Sequence, residues 1–427
     1  MMHAVERLAA WAVGSRSRPL EAEVLHHAKR AVIDWYAAFY PGSVVAPATL
    51  LEKAFPGELD QARTRALIMG TAAHTAEVDD IFRDGIYHPG APTIAAALAV
   101  ARSRNLSGMD FLRAVVVGYE ISTRIGAAMG RAHYKYWHNT GTIGCFGACA
   151  AAAEVLGLSQ EHFSHALATV TTFAAGLQQA FRMDSMSKPL HAGRAAEAGV
   201  TAALAAREGV TGSLDVIQGF GAAMGDDPDW EAAFATLGRD WHITRMTFKN
   251  HACCGHTFAA IDGALALKER MKIAAGDIER VRVGTYRAGV EVAHYEAPRS
   301  PAEGRFSLKY VVATALTHGS VRLAAFESPR LQDPKTKALM GRISVAIDPE
   351  LDAAFPRQRA ARVAIEARGG KREELLQPTR KGDPDLPLTD REVEEKYLEL
   401  VSPVLGDQKA KDLLQRLWRL EALPKLP

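Results

Sequence analysis

From residue 1 to about 268, apolar residues recur at three- and four-residue spacing, alanines are frequent and β-branched alternation is rare. That is the pattern of helix following helix. In LSGMDFLRAVVVGYEISTRIG, Phe111, Val115 and Ile121 can share a buried stripe, Ser107 and Asp110 are spaced to cap the start, and Glu120 and Arg124 stand one turn apart. The Glu–Arg pair reads as structural. The run TIGCFGACAAAAEVLGL is made largely of small residues that let helices approach closely, and Gly157 before Ser159 marks a stop and a restart.

Near residue 275 the period changes. IERVRVGTY (278–286), RISVAI (342–347) and RVAIEA (362–367) alternate in the manner of half-buried strands, and SLKYVVATALTHG between them reads as a helix. The pattern predicts a helical domain over 1–268, an α+β domain over 269–388 and C-terminal helices over 389–427. LLQPTRKGDPDLP (375–387) reads as a polar linker, after which Thr389 and Glu392 form a capping box. Leucines and Trp418 in the last segment need a surface to cover, so it is expected to return to the first domain. The fold class is therefore mainly α, with a large helical domain built from both chain ends and a smaller α+β domain.

Composition narrows the function classes. At 427 residues, with 48% apolar and 23% charged residues, the chain has the make-up of an ordinary soluble globular protein. A formal net charge of +2 and a pI near 8.3 give no basic excess that would favour nucleic acid or a membrane surface. The cysteines at 145, 149, 253 and 254 form no Cys-x-x-Cys pair, which argues against an iron–sulfur cluster. MMHAVERLAAWAVG is interrupted by Glu6 and Arg7 and reads as an amphipathic helix rather than a secretory signal, and the charge-free run from Thr142 to Ala153 is too short to cross a bilayer. These features point to a reducing, cytoplasmic setting.

Candidate chemistry concentrates in HTAEVDDIFRDGIYHPG, residues 74–90. His74, Glu77 and Asp80 are three apart and would share one helical face, while Gly85 and His88-Pro89-Gly90 end the helix and hold His88 on a loop. Asp79 and Asp84 read as a solvated helix end. Glu77 and His88 are stronger candidates, because alanine-rich flanks predict burial, and a buried ionisable group is costly unless paired or used. His74 and Glu77 alone would supply only two metal ligands, so no metal is assigned.

Three further segments carry polar groups among small residues. YKYWHNTGTIG sets His138 just before a helix start that could hold an anion, and SMSKPLHAGRAA sets Lys188 directly before a proline, in a turn ahead of the next helix. MTFKNHACCGHTF holds Lys249, His251, Cys253, Cys254 and His256, where a thiol moving a proton is the sharper reading and a buried small hydrophobe the plainer one.

The ordered set H-x-x-E-x-D-D, HPG, W-H-N-T-x-T-I-G, S-K-P-L-H-A-G-R-A-A, F-K-N-H-A-C-C and R-F-S-L-K-Y resembles the MmgE/PrpD family, which includes 2-methylcitrate dehydratases, cis-aconitate decarboxylases and an iminodisuccinate epimerase. The resemblance implies a helical domain made of both chain ends, an inserted α+β lid, a homodimer and a cofactor-independent active site in the cleft between the domains. It implies catalytic roles for Glu77, His88, His138, Cys254 and Tyr310, and substrate binding by Asp80, Lys188 and Lys249. The implied reaction moves a proton next to a carboxylate. The leading expectation is a dehydratase acting on a small hydroxy di- or tricarboxylate such as 2-methylcitrate; the alternatives are an epimerase of a dicarboxylate such as iminodisuccinate and a catalytically silent binding protein. Glu77 stands where citrate-type relatives carry aspartate, and Cys254 where the decarboxylase carries histidine, which disfavours cis-aconitate decarboxylation.

Overall fold

The small residues of the first part of the chain become helix contacts. Helix Ser187–Arg207 packs against helices Ala62–Thr75, Gly90–Ala101, Gly144–Leu156 and Gln160–Thr171, burying Ala192, Gly193, Ala196, Gly199, Val200 and Ala203. A Cβ at Gly199 would lie 2.4 Å from the Cys149 amide nitrogen and 2.6 Å from the Ala148 carbonyl carbon, so glycine is required by the close approach of two backbones. The computed structural model describes residues 2–102, 104, 106–181 and 185–426. It divides into two units, one running to Phe248 and resuming at Thr389, the other spanning Lys249–Leu388.

In the first unit, local signals in the sequence are met by local geometry. Gly157 ends helix Gly144–Leu156 in the left-handed region at φ 66°, and Ser159 caps the next helix by accepting from His162 N at 3.2 Å. Helix Asp390–Leu405 opens with the capping box, Glu392 Oε2 accepting from Thr389 N at 2.7 Å and Thr389 Oγ1 from Glu392 N at 3.3 Å. This helix packs on helix Ala22–Ser43, and Trp418 stacks on His26 with ring centroids 5.5 Å apart. Between the two helices lies a buried ion pair: Lys396 Nζ donates to Asp34 Oδ1 at 2.5 Å and to the Val78 carbonyl at 2.7 Å. Glu120 and Arg124 are both fully buried, and Glu120 Oε1 accepts from Ile243 N at 2.9 Å, so this pair ties its helix to the segment around residue 243.

The second unit holds a four-stranded sheet of β1 Ile278–Thr285, β2 Ile343–Ile347, β3 Ala361–Ala367 and β4 Arg372–Gln377, in the order β2-β1-β3-β4. β1 and β2 are parallel and the other pairs antiparallel. Helix Phe258–Met271 packs on β3 and β4 and on helix Leu308–His318. That packing draws the segment from Lys249 into this unit, whereas the change in period had put its start at 269. β4 is a second departure: the expected linker at 375–387 begins inside a strand, because an edge strand of sequence REELLQ, with alternate residues exposed, carries too little apolar signal to be told from a loop. Among the described residues no helix is long and apolar enough to cross a membrane.

Gly199→Ala is expected to destabilise the protein by about 1–3 kcal/mol through overpacking. Gly14→Ala, whose new methyl meets nothing within 4 Å in a helix, should leave stability unchanged or raise it by about 0.5 kcal/mol. Urea unfolding of both variants checks the contrast.

Candidate active site

Helix Ala62–Thr75 stops one residue before the acidic run. Glu77 takes φ 59°, a left-handed conformation that a non-glycine residue adopts at a cost of about 1–3 kcal/mol. His74, Glu77 and Asp80 therefore do not share a helical face. The chain instead turns through a short hairpin, in which Phe82 N donates to the Tyr87 carbonyl at 2.8 Å, and Ile81 exchanges hydrogen bonds of 2.9 Å with Thr247 in both directions. Phe82 also stacks on His242, centroids 5.3 Å apart. Lys396 holds the Val78 carbonyl from beneath.

This turn separates the carboxylates by environment. Asp79, expected in solvent, is 1% exposed, and its Oδ2 faces two imidazoles: His74 Nδ1 at 2.7 Å and His88 Nδ1 at 3.1 Å, the latter off the line of a well-formed hydrogen bond. Burial pushes the Asp79 carboxyl up, but the facing imidazoles of His88 and His74 outweigh it and hold the group well below the usual carboxylate range. His74, wholly buried, is pushed by desolvation down to about 3 against the pull of Asp79, and stays neutral. Asp84 is exposed, as the sequence suggests.

Asp80, expected at the substrate, is held on both oxygens by the protein. It is 3% exposed; its Oδ1 accepts from Gly90 N at 3.0 Å, at the start of helix Gly90–Ala101, and its Oδ2 accepts from the Tyr119 hydroxyl at 2.7 Å. Burial, followed by the nearby Asp34 carboxylate, pushes it up to about 7. Both oxygens are engaged by the protein itself, so Asp80 anchors the loop and the helix start.

Glu77 and Lys188 meet. Lys188 Nζ donates to Glu77 Oε1, and the two side chains are 19% and 18% exposed, the lysine being the more exposed. Lys188 is the second residue of helix Ser187–Arg207 rather than part of a preceding turn, and Pro189 is tolerated because the first helical turn has no intrahelical partner for its missing N–H. One turn on, His191 Nδ1 lies 3.0 Å from Nδ1 of His138, which is 2% exposed. His138 stacks on His74 with centroids 5.5 Å apart, and burial, with the neighbouring imidazoles, pushes it well below its ordinary value. His88 N donates to Thr140 Oγ1 at 3.3 Å. Glu77, His88, His138 and Lys188 thus share one neighbourhood with Asp79, His74 and His191. Asp79 had been assigned to solvent, and His191 passed over, although its place three residues after Lys188 puts both on one helical face.

The remaining expected residues lie in the second unit. Lys249 is 3% exposed, the Cys254 amide donates to the Arg305 carbonyl at 3.0 Å, and the buried Tyr310 hydroxyl donates to the Ala325 carbonyl. Cys253 is a buried thiol, pushed up to about 12 by desolvation, and His251 Nε2 pairs with Asp262 Oδ1 at 2.8 Å.

His74, Asp79 and His88 offer ligand atoms within 4.8 Å of one another, the one such metal-competent group among the described residues. Ligands of a tetrahedral cation sit about 3.3 Å apart, given metal–nitrogen bonds near 2.0 Å. The 2.7 Å between His74 Nδ1 and Asp79 Oδ2 is instead a direct hydrogen bond.

A family model described as the MmgE/PrpD N-terminal domain matches residues 6–233, and one described as the MmgE/PrpD C-terminal domain matches residues 251–420. The chain is 27% identical to the cis-aconitate decarboxylase-like protein oryM of Aspergillus oryzae, over 97% of this chain and 94% of the relative. It is 27% identical to the cis-aconitate decarboxylase of Homo sapiens, over 84% of this chain and 76% of the relative. A 2-methylcitrate dehydratase of Escherichia coli is 32% identical over 26% of this chain and 24% of the relative.

His242, beside the loop, is pushed down to about 4 by burial and then by Arg124 and Arg245. The unfolded chain binds its proton near 6.5, so the stability that depends on neutral His242 is complete above that pH and is lost as pH falls towards 4. His242→Phe is expected to lose less stability than the wild type between pH 6.5 and 4, measured by urea midpoints; equal losses would contradict the assignment.

Proposed function

The chain belongs to the MmgE/PrpD family, and on that premise we propose that it is a cofactor-independent lyase acting on a small hydroxy di- or tricarboxylate such as 2-methylcitrate, by removing a proton next to a carboxylate and expelling water. The observation that carries the reading is the Glu77–Lys188 pair within the imidazole cluster, half-withdrawn from solvent. A lysine there is a ready partner for an incoming carboxylate. When substrate takes Lys188, Glu77 gives up a share of the lysine's charge, which raises its appetite for a proton.

Abstraction beside a carboxylate builds a second negative charge on the substrate. Lys188 is suited to offset that charge as it forms, in a site where burial lowers the dielectric and strengthens the interaction. His88, 15% exposed where His74 is wholly buried, is the imidazole of the Asp79 set best able to reach a ligand. It serves as the acid–base group for the leaving hydroxyl.

The coverage of the relatives favours a second reading. The matches that run over most of the chain are to proteins named for cis-aconitate decarboxylation, whereas the dehydratase match spans about a quarter of it. Decarboxylation would use the same lysine and acid–base pair and would differ in the bond broken. Cys254, standing where the decarboxylase carries histidine, favours dehydration.

Purified protein supplied with 2-methylcitrate, citrate, malate or cis-aconitate and followed by proton NMR is expected to form an unsaturated acid from a hydroxy acid. Glu77→Gln should lower kcat by roughly 10²–10⁴-fold, and Lys188→Ala should raise KM as well. Carbon dioxide release from cis-aconitate alone would replace the first reading by the second, and full turnover in both variants would remove this cluster from the chemistry.

A further inference from the structure

Two imidazoles converge on one oxygen of a single buried carboxylate. Asp79 Oδ2 lies 2.7 Å from His74 Nδ1 and 3.1 Å from His88 Nδ1, with Asp79 2% and His74 0% exposed in their side chains and His88 15% exposed. The two rings are 4.7 Å apart and inclined at 65° to one another.

An ionised carboxylate can only accept hydrogen bonds. A nitrogen hydrogen-bonded to it must carry its hydrogen, which fixes His74 with the proton on Nδ1; His88 Nδ1, 3.1 Å from the same oxygen, is placed to be held in the same way. For neutral His74 this leaves Nε2 bare, and that atom is buried without a hydrogen-bond partner. His74 cannot deliver a proton to a ligand from there; its contribution is to hold the Asp79 side chain in place.

We propose that Asp79 is a positioning residue that keeps the Nδ1 hydrogen of His88 in place, so that Nε2 is the atom that carries the proton given to the leaving hydroxyl and is left bare, in the Nδ1–H tautomer, once that proton has gone. The role of that proton rests on the lyase reading given above, but the tautomer does not. Other charges act nearby: the Asp34 and Asp80 carboxylates each interact with Asp79, and Lys188 interacts with His74. Neither carboxylate contacts His88, so neither can substitute for Asp79 as the acceptor.

The first test needs no substrate. Long-range proton–nitrogen NMR of the full chain labelled at histidine nitrogens, with the His88 signals assigned by their loss in His88→Gln, should show neutral His88 protonated on Nδ1. Protonation on Nε2 would overturn the proposal, whatever the protein's activity. The second test is kinetic. Asp79→Asn, nearly isosteric, should shift His88 to the other tautomer and lower kcat by roughly 10²–10⁴-fold with KM changed only a few-fold. If Asp79→Asn does not fold, the His88 tautomer of the wild-type protein decides alone. A folded Asp79→Asn with wild-type turnover, or a His88 tautomer that ignores the substitution, contradicts the proposal. Wild-type protein that turns over no carboxylate but shows the Nδ1–H form of His88 would overturn the lyase reading and leave the positioning role standing.

Discussion

A negative charge buried at Asp79 is the constraint around which the site is organised. Placed among alanine-rich helices, an ionised carboxylate would be strongly disfavoured by desolvation unless something replaced the water it lost. His74 and His88 do so from opposite ends of one loop, and the loop must fold back between them to let both reach the same oxygen. The left-handed turn at Glu77 follows from that requirement. It also turns the Glu77 carboxylate away from Asp79 and towards Lys188. Had the helix continued past Thr75, the acidic residues would have fanned out around its axis and met different partners.

Close helix packing supplies the rest. Gly193 lies so near helix Ala62–Thr75 that a Cβ would come within 2.1 Å of the Leu67 carbonyl and of Thr71 Oγ1, and this proximity carries Lys188 and His191 up to the loop. From the other side, Lys396 reaches from the C-terminal helix to the Val78 carbonyl, between Glu77 and Asp79. Its second partner, Asp34, is itself buried, so the cation is paired away from solvent. Removing one partner of such a pair leaves an uncompensated charge, which is why these long-range ties are stiff. A loop carrying four carboxylates and two histidines is thereby held in one conformation by small residues and a buried lysine far away in the chain.

Much of this architecture could be read from residue order. The helix-to-strand change of period located β1, β2 and β3 to within a residue, and the capping residues Ser159 and Thr389 marked helix starts where the structure has them. Motif resemblance drew attention to Glu77, His88, His138 and Lys188. What could not be read is tertiary. Asp79 and Asp84 are the same residue in the same acidic run, yet one is buried and the other exposed, and only the convergence of His74 and His88 distinguishes them. A left-handed glutamate has no sequence signature comparable to glycine, so a helical face was expected across 74–80. The resemblance placed Asp80 at the substrate, and nothing local announces that Tyr119, far along the chain, will occupy its second oxygen.

The central claim is that this cluster moves a proton at a carbon beside a carboxylate. Incubation in deuterium oxide with 2-methylcitrate and its unsaturated product, followed by mass spectrometry of the recovered acids, measures that step directly. The account predicts that solvent deuterium enters at the carbon next to the carboxylate, and that incorporation slows together with turnover when Glu77 or Lys188 is replaced. Turnover without incorporation, or incorporation indifferent to both substitutions, would contradict it.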